Sequence, residues 1–330
     1  MSAATKTIRI TLFFLILAAS LSKSQAQLRP ITLQWAKSFG GSGTDRANTV
    51  IQAANGDFVI AGQAASRDGM VTDNYLVKNQ WIVRTNAAGN ILWKKSYGSF
   101  GSGIYSIIQT SDGGFAAAGM AGGITGSGGT SADFWILKTD ANGNIEWEKT
   151  FGGSEQDLAY AIIQTSDGGY AVAGLTGSFN GDVIYRPGIS DYSFWVIKLS
   201  PAGSLLWSKT YGGAAQDIAN SIIETTDGGL AIAGSSYSNS GDVLDHKGRY
   251  TGNAWMVKTN SNGDIQWSKS YGGVGIVAVY KIVQTSDGGF ALAGIADRNG
   301  GDITGLHERG DYYYDYLLIR TDPSGTLLWS

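Results

Sequence analysis

Three aspartates recur in one local setting: Gly181-Asp182-Val183, Gly241-Asp242-Val243 and Gly301-Asp302-Ile303. Asp68-Gly69-Met70-Val71 is a degenerate copy, and a later acid or amide follows each of the three, at Asp191, Asn253, and Asp311 or Asp315. Oxygen ligands in a glycine-rich loop could hold Ca²⁺, which takes six to eight of them. Each loop supplies one or two carboxylates, whereas a calcium loop places several at alternating positions within a dozen residues. Capping of the turn by the aspartate itself is the competing reading. Asp182, Asp242 and Asp302 are thus the metal candidates, and calcium is the one cofactor in view.

The only histidines, His246 and His307, occupy equivalent loops of adjacent copies. Two imidazoles without a third ligand at short spacing make an incomplete zinc set. The same loops carry Tyr185, Arg186, Tyr192, Arg249, Tyr250, Arg309 and Tyr312. Rings beside a few charges can stack on sugars or bind another protein. Catalysis has less to build on. Glutamate is confined to Glu146, Glu148, Glu155, Glu224 and Glu308. A glycosidase needs two carboxylates across one sugar bond, which Asp182, Asp242, Asp302, Glu308 and Asp311 could supply only by converging. There is no Ser-His-Asp context, phosphate loop or dinucleotide fingerprint. The residues read best as a non-catalytic surface for a glycan or an extracellular protein. The alternative is a polysaccharide-active enzyme of glycoside hydrolase or lyase type.

These loops interrupt a repeat. Trp147-Glu148-Lys149-Thr150-Phe151-Gly152-Gly153 is followed by Ala161-Ile162-Ile163, Ser166-Asp167-Gly168-Gly169, Tyr170-Ala171-Val172-Ala173-Gly174 and Trp195-Val196-Ile197-Lys198, and Trp207 restarts the cycle. The opening tryptophans are Trp35, Trp93, Trp147, Trp207, Trp267 and Trp329, spaced by 58, 54, 60, 60 and 62 residues. Each unit holds four runs of β-formers bounded by turn residues. In the third unit they fall at about 160–165, 170–174, 194–199 and 204–210. Asp-Gly hairpins with positive φ at Gly113, Gly168, Gly228 and Gly288 should join the first two runs. A long period with four strands per unit is the mark of a radial array. The fold class is all-β, a β-propeller of four-stranded antiparallel blades. Five complete repeats are expected, with an extra N-terminal strand at about 31–39. Both faces of a blade are apolar, as Trp135 and Leu137 alternate with Phe134 and Ile136. Strand two has a face of alanines, Ala116 and Ala118 among them, that leaves room for large neighbours. The opening tryptophans are expected to be largely buried. Lys37, Lys95, Lys149, Lys209 and Lys269, with Asp45, Asp157 and Asp217, read as structural contacts at blade junctions.

The motifs Trp-x-Lys-Thr-Tyr-Gly-Gly, Thr-Ser-Asp-Gly-Gly-Tyr, Gly-Asp-Val and Asp-x-Trp-x-x-Lys resemble a repeat of exported Bacteroidetes-type proteins, kelch-like in outline. The resemblance covers residues 33–330 and is specific for the repeat, not for a chemistry. It implies export, in many members by type IX secretion with a C-terminal sorting domain, which has no counterpart within residues 33–330. Histidine after Gly-Asp-Val is also common in that repeat.

Lys6 and Arg9 precede an apolar run, residues 12–19, too short to span a membrane, and Ser24-Gln25-Ala26 suits a signal peptidase. A signal peptide over 1–26 and a repeat domain over 27–330 follow, with export and no membrane anchor. The chain has no cysteine, so it folds on packing alone. After cleavage, 21 basic residues face 27 acidic ones, the reverse of a nucleic-acid footprint. A monomer is expected. Because Trp329-Ser330 stops where every earlier copy runs on to lysine and aromatic-Gly-Gly, the reading frame is expected to continue into further blades. Sequencing the gene past Ser330 checks this: a lysine codon should follow, and a stop codon would contradict it.

Overall fold

The structure is a computed structural model. It describes residues 32–72, 80–98, 102–122, 131–184, 192–248, 251–307 and 313–330. Contacts divide the chain into two units, Met1–Ala36 and Lys37–Ser330, and all the strands lie in the second. Twenty strands form five antiparallel sheets of four, each ordered one-two-three-four along the chain, with no helix among the described residues. These are the five blades of a β-propeller. Sheet three shows how closely the repeat maps onto strands: Asp157–Gln164, Tyr170–Thr176, Ser193–Leu199 and Leu205–Tyr211.

The first strands of successive sheets, Asp45–Gln52, Gly103–Gln109, Asp157–Gln164, Asp217–Glu224 and Val277–Gln284, lie side by side and converge on an axis. Hairpin turns hold each sheet together. In sheet three, Gly168 N–H donates to Thr165 C=O at 2.9 Å and Thr165 N–H to Gly169 C=O at 2.9 Å. Gly168 has φ 81°, and Gly113, Gly228 and Gly288 lie at 84°, 77° and 84°, as expected. Asp167 caps the turn by accepting from Thr165 Oγ1 and Gly169 N–H. It also takes Lys198 Nζ at 2.7 Å from strand three. Lys138–Asp112, Lys258–Asp227, Arg84–Asp57 and Arg320–Asp287 repeat this ion pair in the other sheets. The lysine or arginine near the end of strand three therefore closes each blade on its own hairpin.

Between sheets the core is knob and recess. Phe134 and Ile136 of sheet two pack with Trp195 and Ile197 of sheet three, while Trp135 and Leu137 pack back on Val59, Ala61 and Ile82 of sheet one. The rings of Phe134 and Trp195 lie 4.3 Å apart, and those of Phe194 and Trp255 4.5 Å. Ala116 and Ala118 share the cluster of Trp195, and Ala171 and Ala173 that of Trp255. The alanine recess therefore receives the strand-three tryptophan of the next blade. The opening tryptophans Trp93, Trp147, Trp207 and Trp267 are largely buried, as expected, without being fully enclosed. They sit on outer strands, where strand-two aromatics of the next sheet cover three of them, Phe115 over Trp93, Tyr170 over Trp147 and Phe290 over Trp267.

The strand three–four hairpin of the next sheet closes over them as well. A Cβ on Gly143 would stand 3.0 Å from the Trp93 ring, one on Gly203 2.9 Å from Trp147, and one on Gly263 3.0 Å from Trp207. Trp93 Nε1 donates to Ala141 C=O and Trp147 Nε1 to Pro201 C=O. Lys95 reaches Asn144 and Lys209 reaches Asp264 in the same hairpins. Tyr97, Tyr211 and Tyr271 donate their phenols to the carbonyls of Gly143, Gly263 and Gly325. Lys95 and Lys209 thus make the structural contact read from their spacing, whereas Lys149 and Lys269 make no such hydrogen bond among the described residues.

Residues 32–44, expected to begin with an extra strand, form none. A fourth strand needs a third to pair with, and among the described residues none pairs with this segment. Lys37 still contacts Gly89 C=O and Asn90 Oδ1 as its counterparts do, and Phe39 packs by Trp81 and Val83. Beside them lies a cavity of about 180 Å³ lined by Ile60, Trp81 and Val83. At the other end, Tyr316 is 97% exposed, with Leu318, Leu328 and Trp329 also exposed.

Phe194 and Tyr316 hold equivalent strand-three positions, one covered and one bare. Phe194→Ala should cost about 3–5 kcal/mol, and Tyr316→Ala within about 0.5 kcal/mol. Urea unfolding of the two variants checks this; equal losses would mean that the fifth sheet is covered.

Candidate functional site

Each first strand contains one extra residue. The register against strand two slips at Asn48, Tyr105, Tyr160, Asn220 and Tyr280, one per sheet and at the same position. A bulge re-aims its side chain out of the ladder, so these five residues leave the sheet faces beside the axis. The asparagines bridge to the next blade, Asn48 Nδ2 to Ile104 C=O and Asn220 Nδ2 to Val279 C=O, both at 2.8 Å. The rings of Tyr105 and Tyr160 lie 5.3 Å apart. Tyr280 is half-exposed.

A second tier of tyrosines stands where strand two ends and strand three begins. In sheet three, Tyr192 leans over Gly177: a Cβ there would sit 3.4 Å from its ring. In sheet four, Tyr237 leans over Gly252, where a Cβ would sit 2.8 Å from its Cζ. Backbone bonds show that these positions are exchanged. Gly177 N–H and Tyr237 N–H donate to Gln156 and Gln216 C=O, while Asp217 N–H and Val277 N–H donate to Tyr192 and Gly252 C=O. Tyr237 thus occupies the place of Gly177, and Gly252 that of Tyr192. One ring covers the same spot in both blades, supplied from opposite sides of the loop. Tyr314, preceding Asp315 of the fifth sheet, holds the position of Tyr192.

The two tiers meet. Tyr192 and Tyr160 pack on Leu158 and Leu175, and Tyr192 OH donates to Gln156 Oε1 at 3.0 Å. Burial, with Tyr105 and Tyr192 nearby, pushes the Tyr160 phenol up to about 12. Burial, then Tyr314, Tyr280 and Asp297, raise that of Tyr237. With their pKa values raised, the phenols of Tyr160 and Tyr237 are neutral at pH 7, able to donate and to accept.

Of the residues proposed from sequence, Tyr192 joins this belt. Tyr185, Arg186, Arg249, Tyr250, Arg309 and Tyr312 lie outside the described residues. His246 is half-buried, its Nδ1 2.8 Å from Asn253 Nδ2, and burial lowers its pKa. His307 is exposed, and its backbone N–H donates to Asp315. Asp182, Asp242 and Asp302 share one geometry: Gly152, Gly212 and Gly272 N–H donate to their Oδ2 at 3.1, 3.1 and 3.2 Å. In return their own N–H groups donate to those glycines' carbonyls. Each aspartate ties its loop to the double glycine, as a turn-capping role requires. Among the described residues, no group of three His, Asp or Glu side chains is arranged to hold a metal ion.

One junction gathers more acid than the rest. Gly152-Gly153 is surrounded by Asp182, by Asp157, whose Oδ2 accepts from Gly153 N–H and Ser178 Oγ, and by Asp133. In the next two junctions Ser193 and Asn253 replace Asp133. Burial, then Asp157 and Asp182, push the Asp133 carboxyl up to about 6. Burial does the same for Asp217 against its hydrogen bonds from Ser236, Gly213 and Ser238, also to about 6. The sequence signal for the bulged belt was present but faint, as one Tyr or Asn out of phase in each apolar run.

No protein-family model and no curated protein matches the sequence. Among solved structures, puromycin hydrolase aligns with a TM-score of 0.50 and 13% identity over 87% of this chain, which spans 39% of that one. A thermostable family-43 glycoside hydrolase aligns at 0.44 and 9% identity, covering 85% of this chain and 91% of its own. A protein of unknown function from Dyadobacter fermentans DSM 18053 aligns at 0.40 and 14%, covering 85% and 92%. The likeness is one of fold.

The acids set opposing pH limbs. Burial raises Asp112, Asp167 and Asp227, but their lysine and threonine hydrogen bonds outweigh it and bring them to about 2. Their contribution is present above the unfolded value near 3.8 and lost as pH falls towards 2. Asp133 and Asp217, raised to about 6, act the other way: stability is gained as pH falls from about 6 towards 4. The melting temperature should peak between about pH 4 and 5, and Asp133→Asn should flatten the upper limb. A wild-type profile flat from pH 4 to 7 would contradict these assignments.

Proposed function

We propose that the chain is an exported, non-catalytic propeller of the Bacteroidetes-type repeat family that binds a glycan at its tyrosine-lined axial mouth. The exchange of Tyr192 and Tyr237 carries this reading. Fold stability asks for one packing solution per repeat, as the hairpin ion pairs and the alanine recess provide. Here the residue changes and the ring stays, beside neutral phenols and the amides of Gln156 and Asn220. Pyranose faces stack on such rings, while hydroxyls pair with phenols and amides. The signal sequence at 1–26 supports an extracellular ligand, and no described helix is long and apolar enough to cross a membrane.

A polysaccharide-active enzyme is the second reading, favoured by Asp133. A carboxyl held near pH 6 beside two other acids has the proton affinity of a glycosidic general acid.

A panel of soluble oligosaccharides tests both. Tyr160→Ala, Tyr237→Ala and Tyr280→Ala should each weaken the best ligand about fivefold to tenfold, from about 1–1.5 kcal/mol of ring contact. Reducing ends should not accumulate. Release of reducing sugar that Asp133→Asn abolishes would replace binding by hydrolysis. Unchanged affinity in all three tyrosine variants would move the site elsewhere.

A further inference from the structure

At three junctions the strand-four lysine ends on an amide or carboxylate of the next hairpin: Lys37 on Asn90, Lys95 on Asn144 and Lys209 on Asp264. Between sheets four and five that acceptor is replaced by Thr326. Lys269 then makes no hydrogen bond or ion pair among the described residues. It lines a cavity of about 160 Å³ together with Lys247, Asp245, Ser270, Asp302 and Thr326. Lys247 is likewise unpaired, although its loop is fixed: Asn253 Nδ2 and Thr251 Oγ1 both donate to its carbonyl. Ser270 is 2% exposed, and its hydroxyl has no partner. Such a group in a folded protein asks for a ligand or a water.

We infer that this cavity is a subsite for the carboxylate of an acidic sugar, a hexuronate residue of a glycan. The inference rests on the glycan-binding reading above. Two ammonium groups engaged in no ion pair among the described residues suit an oxyanion. A compact anion alone fits poorly, because Asp245 and Asp302 line the same space. Each of them commits one oxygen to a backbone N–H, of Ser270 and of Gly272, and can accept a sugar hydroxyl with the other. A pyranose with one carboxylate and several hydroxyls meets both demands, with Ser270 Oγ and Thr326 Oγ1 as further partners. Asp245 and Lys247 come from the strand two–three loop of sheet four, and Asp302 from that of sheet five. The cavity thus lies where these loops meet the outermost strand of sheet four and the strand three–four hairpin of sheet five.

Calorimetry on the full chain with trigalacturonate, its methyl ester and sodium sulfate tests the subsite. The acid should bind at least tenfold tighter than the ester. Lys247→Gln/Lys269→Gln should erase that difference and leave ester affinity unchanged, and Ser270→Ala should reduce it at an unaltered melting temperature. Tyr237→Ala should weaken acid and ester alike. Equal affinity for acid and ester, or a preference that survives the double lysine variant, overturns the subsite and leaves the mouth standing. Sulfate displacing the acid at equal concentration overturns it too, since the site would then hold any small anion. Binding of neither sugar overturns it, and failure of the whole neutral panel as well would remove the mouth.

Discussion

Everything in this molecule hangs on one contact: the outer strand of each blade against the glycine hairpin of the next. The tryptophan lies under a glycine that has no Cβ to obstruct it, the lysine reaches the hairpin's polar tip, and the tyrosine donates to the glycine's carbonyl. Three groups at i, i+2 and i+4 share one strand face, so a single register satisfies all three at once. That face sets the spacing between blades. Spacing in turn places each strand-three tryptophan over the alanine recess of its neighbour. Burial of the tryptophan wedge then supplies the main apolar stabilisation. Phe151 shows the tolerance of the scheme, since it fills the tyrosine position without a hydroxyl.

Much of the fold was legible because the repeat states it five times. Asp-Gly between two apolar runs fixed the hairpins, and alternation in Phe134 to Leu137 gave both packed faces. The opening tryptophans are largely buried, as their recurrence suggested. One error has a physical cause. Residues 31–39 looked like a strand because they match strand four in sequence, yet a strand is a relation between two segments. Ion pairs such as Lys198–Asp167 were missed because they join parts of the repeat 31 residues apart.

The site was less legible, for the reason that makes it interesting. Sequence reading looked for loops where the copies disagree, and six of its chosen residues fall outside the described parts. The belt at the axis lies instead in the most regular element, the first strand, where a bulge turns one residue out. It alternates between Tyr and Asn without disturbing the ladder around it. Tyr192 and Tyr237 could not be paired from sequence, because they are 45 residues apart and occupy different positions of the repeat. Only backbone bonding shows that they fill one place. The Gly-Asp-Val aspartates were visible at once, and their geometry ties them to the backbone that the loops stand on.

The central claim is that a ring at the mouth matters, wherever the chain supplies it. Exchanging the two residues of sheet four tests this most directly. Tyr237→Gly alone should lower affinity for the best-binding neutral oligosaccharide about fivefold to tenfold. Adding Gly252→Tyr, the arrangement that sheet three already uses, should restore affinity to within about twofold of the parent. A double variant as weak as Tyr237→Gly, with a parental melting temperature, would contradict the account.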